Sequence, residues 1–137
     1  MLWRVTNAWQ AAQRAALRPF DLTHVQFVLL ASLVWLRGSG PVTQRGLANH
    51  AGTDAMMTSQ VLRTLEAKGL VERAAHPSDA RARALRPTPA GTKLANRAVG
   101  AVEAVDDEFF GVLGARAAAF TGMLGVVHAA RSRPTRS

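Results

Sequence analysis

The hydrophobic period of this chain changes over one short window, and that window limits what the chain can fold into. Up to Gly69 the apolar residues recur at helical spacing. From Leu70 the pattern becomes that of strands: "LVERA", then a polar turn "HPSDA", then "RARALR". Helical spacing returns at Thr88, a threonine cap followed by Pro89 at the first helical position. One hairpin set among helices predicts a mainly α fold with a small β-hairpin.

The helices ahead of the hairpin have readable ends. In Leu2 to Leu17 the residues Val5, Trp9, Ala12 and Ala16 form an apolar stripe, and Pro19 closes the segment. In "DLTHVQFVLLASLVWLRG" Thr23 is the expected start and Gly38 the expected stop. Phe27, Leu30, Val34 and their neighbours leave almost no polar side, so this helix belongs at the centre. A short helix then starts at Thr43, turns Leu47 and Ala48 inward and ends at Gly52. The next restarts from Thr53 or Asp54 and runs to Lys68, with Gly69 behind it. Its inward stripe is Thr58, Val61, Leu62 and Leu65. Two short helices around a glycine turn make a helix-turn-helix, and the hairpin after them makes it a winged helix-turn-helix.

After Thr88 a long stripe of Leu94, Ala98, Val102, Val105 and Phe109 is followed by a break near Gly111 to Gly114. A second stripe, Phe120, Leu124 and Val127, precedes the basic tail "RSRPTRS", which is expected to fray. No internal repeat or domain linker interrupts this order. A length of 137 residues fits one domain, with a core at 22–91, flanking helices at 1–18 and 88–131, and a disordered tail at 132–137.

Composition narrows the function. Lys and Arg exceed Asp and Glu by 17 to 9, a formal charge of +8, and only Lys68 and Lys93 are lysines. Guanidinium suits phosphates and base edges, which points to a polyanionic partner; an arginine-heavy genome is the bland alternative. Cysteine is absent, so disulfides, thiolate nucleophiles and cysteine redox sensing are excluded. His24, His50, His76 and His128 share no ligand spacing, which makes a zinc site improbable. No nucleophile has a general base in recognisable spacing and no glycine loop cradles phosphate, so neither an enzyme nor a bound cofactor is expected. The apolar run "VQFVLLASLVWL" is about a dozen residues, short of the roughly twenty of a membrane span. "MLWRVTNAWQ" lacks a signal-peptide core, so the cytoplasm is the expected location.

The second short helix would present Met56, Met57, Ser59, Gln60 and Arg63 on its outer face. Gln60 can read adenine or bridge to phosphate, Arg63 can pair with phosphate or guanine, and the methionines can meet a thymine methyl. The same residues could equally be the solvated side of an amphipathic helix. On the hairpin, Arg81 and Arg83 share a face because side chains alternate, whereas Arg86 is out of phase. Asp79 can hold an arginine or bind the turn amides. Residues 43–86 carry seven basic and four acidic residues, residues 87–130 three and four. The basicity therefore lies in residues 43–86, the first helices and the tail, while the long C-terminal helices are near neutral, which suits a protein partner.

Together "LTHVQFVLLASL", "VTQRGLANHAG", "TSQVLRTLEAKGLVER" and "DARARALRPTPAG" resemble the MarR family of bacterial winged-helix transcriptional regulators, over about Leu22 to Gly91. The most specific part is "LEAKGLVER" followed by D-x-R and T-x-x-G. The resemblance implies a homodimer, intertwined through the first and last helices, binding double-stranded DNA at a pseudo-palindrome. It implies that the helix from Asp54 to Lys68 enters the major groove and that Arg81 reaches the minor groove. Thr43 and Gln44 match residues beside the DNA backbone, and Arg45 next to them is assigned to the same surface. Release by a small aromatic or phenolic anion is also implied, with Trp9, Phe20, His24 and Phe27 near the pocket. The expected function is a sequence-specific repressor or regulator; the alternative is a winged-helix protein-interaction module without operator binding. Two positions depart from the family pattern. Pro87 stands for a usual leucine, removing a donor at the strand end and predicting a shorter wing, and Gln60 stands for a frequent arginine.

Overall fold

The computed structural model of the chain describes residues 1–78 and 83–132. Its elements are α1 (Leu2–Leu17), α2 (His24–Leu36), α3 (Gln44–Ala51), α4 (Ala55–Ala67), β1 (Val71–Ala75), β2 (Arg83–Pro87), α5 (Pro89–Gly111) and α6 (Ala117–Ser132). Short 3-10 turns follow α1 and α2 and precede α6. This is the mainly helical, hairpin-bearing order that the periodicity predicts.

Local chemistry sets most helix starts. Thr23 and Gln26 form a reciprocal capping box on α2, Oγ1 accepting from the Gln26 amide at 3.2 Å and Oε1 from the Thr23 amide at 3.1 Å. Thr43 caps α3 through the Gly46 amide at 3.0 Å, and Asp54 caps α4 through the Met57 amide at 2.7 Å. Each such cap stabilises its helix by about 1 kcal/mol. Gly52, at φ 72°, ends α3 in the left-handed conformation and sets the tight turn into α4.

α2 is the hub, packing against α1, α3, α4, α5 and β2. Phe27, Leu29, Leu30 and Leu33 are buried on it, meeting Leu17 of α1, Leu47 of α3, and Leu62 and Leu65 of α4. Burial of one such leucine stabilises by roughly 1.5–3 kcal/mol, which is why the centre of the fold is almost wholly aliphatic.

The hairpin is antiparallel, in register from Val71 opposite Pro87 to Ala75 opposite Arg83. On its other edge β2 bridges to Val42, the Leu85 amide donating to the Val42 carbonyl at 2.7 Å. The base of the hairpin is locked to α5. The Thr88 amide donates to the Leu70 carbonyl at 3.0 Å, its hydroxyl donates to the Gly69 carbonyl at 2.7 Å, and its Oγ1 also accepts from the Gly91 amide at 3.0 Å.

Several expectations are corrected. Pro87 does not shorten the strand: it is the last paired residue of β2, and the following amide, from Thr88, supplies the bond to Leu70. α2 stops at Leu36; Gly38 lies within the 3-10 turn, and Gly40, at φ 112°, redirects the chain. The inward stripe of α1 is centred on Trp9, Gln13 and Leu17, leaving Val5 exposed, because a polar partner on α5 receives Gln13. α6 reaches Ser132, the first residue of the expected tail; residues 133–137 lie outside the described residues. Among the described residues no single helix is long and apolar enough to cross a membrane.

Candidate nucleic-acid interface

α4 is held by one face and open on the other. Thr58 is fully buried; its hydroxyl donates to the Asp54 carbonyl at 2.7 Å and lies 2.6 Å from the Thr53 hydroxyl. With Leu62 and Leu65 also at 0 % exposure, the rotation of the helix about its axis is set. Met56, Met57, Gln60 and Arg63 then face solvent, and Met56, Gln60 and Arg63 follow at i, i+4 and i+7 along one line. Ser59, assigned to the same face, is half-buried on its flank.

At α3 the three assigned residues have different surroundings. Arg45 is exposed, while half-buried Thr43 uses its hydroxyl as the α3 cap. Gln44 is engaged within the fold: its Oε1 accepts from Arg73 Nη2 at 3.1 Å, and Arg73 Nε donates to Glu66 Oε1 at 2.8 Å. Arg73 on β1 thus ties the wing to α4 and to the start of α3. Nothing in the sequence pattern marked this arginine, since its partners lie on two other elements. An open cleft lined by Gln44, Arg45, Ala48, Asn49, Thr53 and Ala55 runs between α3 and α4.

On the wing, Arg83 is exposed at the outer end of the described ladder, opposite Ala75. Asp79 and Arg81 lie outside the described residues. Arg86, the arginine out of phase, is paired across the ladder: its Nε lies 2.6 Å from Glu72 Oε1, the residue directly opposite. It stabilises the hairpin base, with its charge already matched.

A second polar cluster sits where α1, α2 and α5 meet. Asp106 Oδ1 accepts from Trp9 Nε1 at 2.7 Å and from Gln13 Nε2 at 2.9 Å. His24 packs edge-on against the Trp9 ring at 5.1 Å and 74°. Burial pushes the His24 pKa below its ordinary value, with Asp106 opposing that shift and Arg14 adding to it. Gln13 is fully buried, and its Oε1 has no hydrogen-bond partner among the described residues. Of the four residues placed near a ligand pocket, Trp9 and His24 therefore meet. Phe20 lies under the Arg97 guanidinium at 5.7 Å, and Phe27 is a core residue at 6 % exposure. Gln13 and Asp106, which hold the cluster together, were not visible as a pair because 93 positions separate them.

Comparison with known proteins gives concordant matches. A family model described as MarR family matches residues 22–82. The chain is 45% identical over 111 residues to the uncharacterised HTH-type transcriptional regulator YdcH of Bacillus subtilis (strain 168), covering 80% of this chain and 76% of that one. Among solved structures, CouR from Rhodococcus jostii RHA1 bound to p-coumaroyl-CoA aligns with a TM-score of 0.82 at 26% identity, over 99% of this chain and 92% of that one. A mutant MarR from E. coli complexed with operator DNA aligns with a TM-score of 0.79 at 25% identity, over 90% of this chain and 86% of that one.

Proposed function

The chain belongs to the MarR family of transcriptional regulators, and from that premise we propose that it is a cytoplasmic, homodimeric repressor of a pseudo-palindromic operator, released by a small aromatic anion. The observation that carries the DNA part is the open line of Met56, Gln60 and Arg63 on a helix whose opposite face is fully buried. Such a line can lie in a major groove and meet donors, acceptors and thymine methyls. Arg45 and Arg83 flank it as exposed cations for phosphate, with Thr43, Gln44 and Ser59 at the margins. Asp79 and Arg81 join this surface on the sequence pattern and the family resemblance. The mutant E. coli MarR bound to operator DNA supports the reading.

The dimer rests on α6 and the start of α1. α6 buries no residue in the single chain, leaving Met123, Leu124, Val126 and Val127 exposed, and Met1, which precedes α1, and Leu2 and Trp3 of α1 are exposed too. Apolar surface of this extent is a protein interface, and a second copy supplies a matching one. A twofold dimer then presents two α4 helices to half-sites about one DNA turn, roughly 34 Å, apart.

The effector reading draws on the cluster of Trp9, His24 and Asp106; Phe20 and Phe27 belong to it on the family resemblance. CouR, seen with p-coumaroyl-CoA, supports a ligand of aromatic character. Binding there releases DNA if it favours a dimer geometry with another half-site spacing.

A binding titration on DNA selected by the protein from a random pool tests the reading. Affinity that falls steeply as salt rises is expected, because arginines displace condensed counterions from phosphate. Affinity indifferent to salt, or no selection at all, leaves the protein-interaction reading in its place.

A further inference from the structure

We propose that Met56 and Met57 form an oxidation site through which peroxides release this protein from DNA. The proposal rests on the DNA-binding reading of α4. Methionine ordinarily fills gaps in a core. Here Met56 is 81 % exposed and Met57 44 %, side by side in the first turn of the helix that carries Gln60 and Arg63. The chain has four methionines and no cysteine. The thiolate that would usually intercept a two-electron oxidant is missing, so the thioethers are the sulfur available to it.

The chemistry is an oxygen transfer. A lone pair on the thioether sulfur attacks the outer oxygen of hydrogen peroxide, the O–O bond breaks, and the departing hydroxide takes the remaining proton to leave as water. Sulfur loses two electrons, peroxide gains them, and the product is methionine sulfoxide. An apolar tip becomes a strong acceptor on the surface where base edges and phosphates are met. Contact with a thymine methyl is lost, and the new oxygen must shed its water against groups that are largely acceptors themselves. The fold is spared, because the α4 cap runs from the Met57 amide to Asp54 and the buried anchor is Thr58. Met1 and Met123 are also exposed but lie at the N-cap of α1 and on α6, outside the helix that carries Gln60 and Arg63.

The test uses the full chain and a DNA fragment it selects from a random pool. The protein is treated with hydrogen peroxide, quenched, and assayed for DNA affinity while mass spectrometry of the peptide spanning both residues counts sulfoxides. Wild type should lose affinity roughly tenfold or more, the worth of one specific base contact. Methionine sulfoxide reductases of both stereospecificities should restore it. M56L/M57L, whatever its own starting affinity, should show no further loss on treatment, whereas M123L should respond as wild type does. Undiminished binding by protein oxidised at Met56 and Met57 overturns the proposal, as does an equal loss in M56L/M57L. If the leucines themselves abolish binding, the reductase arm decides, and failure to regain affinity once the sulfoxides are reversed overturns it. Untreated protein that selects no DNA sinks the reading of α4 as a reader, a result separable from peroxide insensitivity.

Discussion

The backbone carbonyl of Leu70 occupies the space that a side chain at Gly91 would need: a Cβ built on Gly91 overlaps that oxygen. The T-x-x-G signature therefore has a steric cause. Thr88 clamps the Gly69–Leu70 turn with two hydrogen bonds, and Gly91, one turn into α5, lets the helix lie against the same turn. Gly91→Ala should destabilise the fold by about 1–3 kcal/mol, since the opposing atom is backbone and has no rotamer to yield. Thermal unfolding measures this; a melting temperature equal to wild type would mean that α5 slides without cost. The helix interior itself would welcome alanine, so any loss reports the contact with Leu70.

His24 supplies a pH prediction with a definite sign. Burial holds its folded pKa below the ordinary 6.5, outweighing the pull of Asp106 toward the charged form. The unfolded chain therefore takes up the proton first as pH falls. The contribution of neutral His24 is fully present above pH 6.5, declines as pH drops through that value toward the folded pKa, and is level below it. Urea unfolding across this range should show the decline in wild type and a weaker one in His24→Gln. Matching pH profiles would mean that the ring is not desolvated in the folded state.

Much of this architecture is legible because its causes are local. Thr23, Thr43, Asp54 and Thr88 cap the helices they precede within three residues of chain, and Gly52 and Gly69 mark helix ends through their own backbone preference. The open face of α4 is legible for the same reason, as the complement of its apolar stripe. Relationships across the fold are not. Gln13 reads as a surface glutamine until Asp106 arrives from α5, and Arg73 reads as an ordinary strand arginine until Glu66 and Gln44 meet it. Arg86 reads only as the arginine out of phase with Arg81 and Arg83 until strand register hands it to Glu72. Partner choice of this kind depends on tertiary placement, which a single sequence does not encode in any local period.

Arg63 separates base reading from backbone contact. It is exposed on α4, among the described residues no ion pair holds it, and it stands one helical turn beyond Gln60. Should it meet phosphate, Arg63→Ala will weaken all DNA sequences alike and lower the slope of log affinity against log salt by about one. Should it pair with guanine, the loss falls on one base position and amounts to roughly 1–3 kcal/mol of discrimination, with the salt slope nearly kept. Titrations on selected and scrambled fragments at several salt concentrations distinguish these outcomes. Wild-type affinity and slope on both fragments would remove Arg63 from the interface.

α6 gives the sharpest test of assembly, because it buries no residue in the single chain and leaves Met123, Leu124, Val126 and Val127 exposed. Leu124 and Val127 are 46 % and 62 % exposed on consecutive turns, and no residue of α6 is buried. A carboxylate placed there costs little in a monomer, where water solvates it. Sealed in a dimer seam without a partner it becomes costly, by several kcal/mol per buried charge. Leu124→Asp and Val127→Asp should therefore leave helix content and monomer folding intact while shifting the particle mass to that of one chain in light scattering. DNA affinity should fall with it, since a monomer holds only one α4 and loses the second half-site. A dimer that persists in both variants would place the interface elsewhere. Monomers that bind DNA as tightly as wild type would show instead that one winged helix suffices.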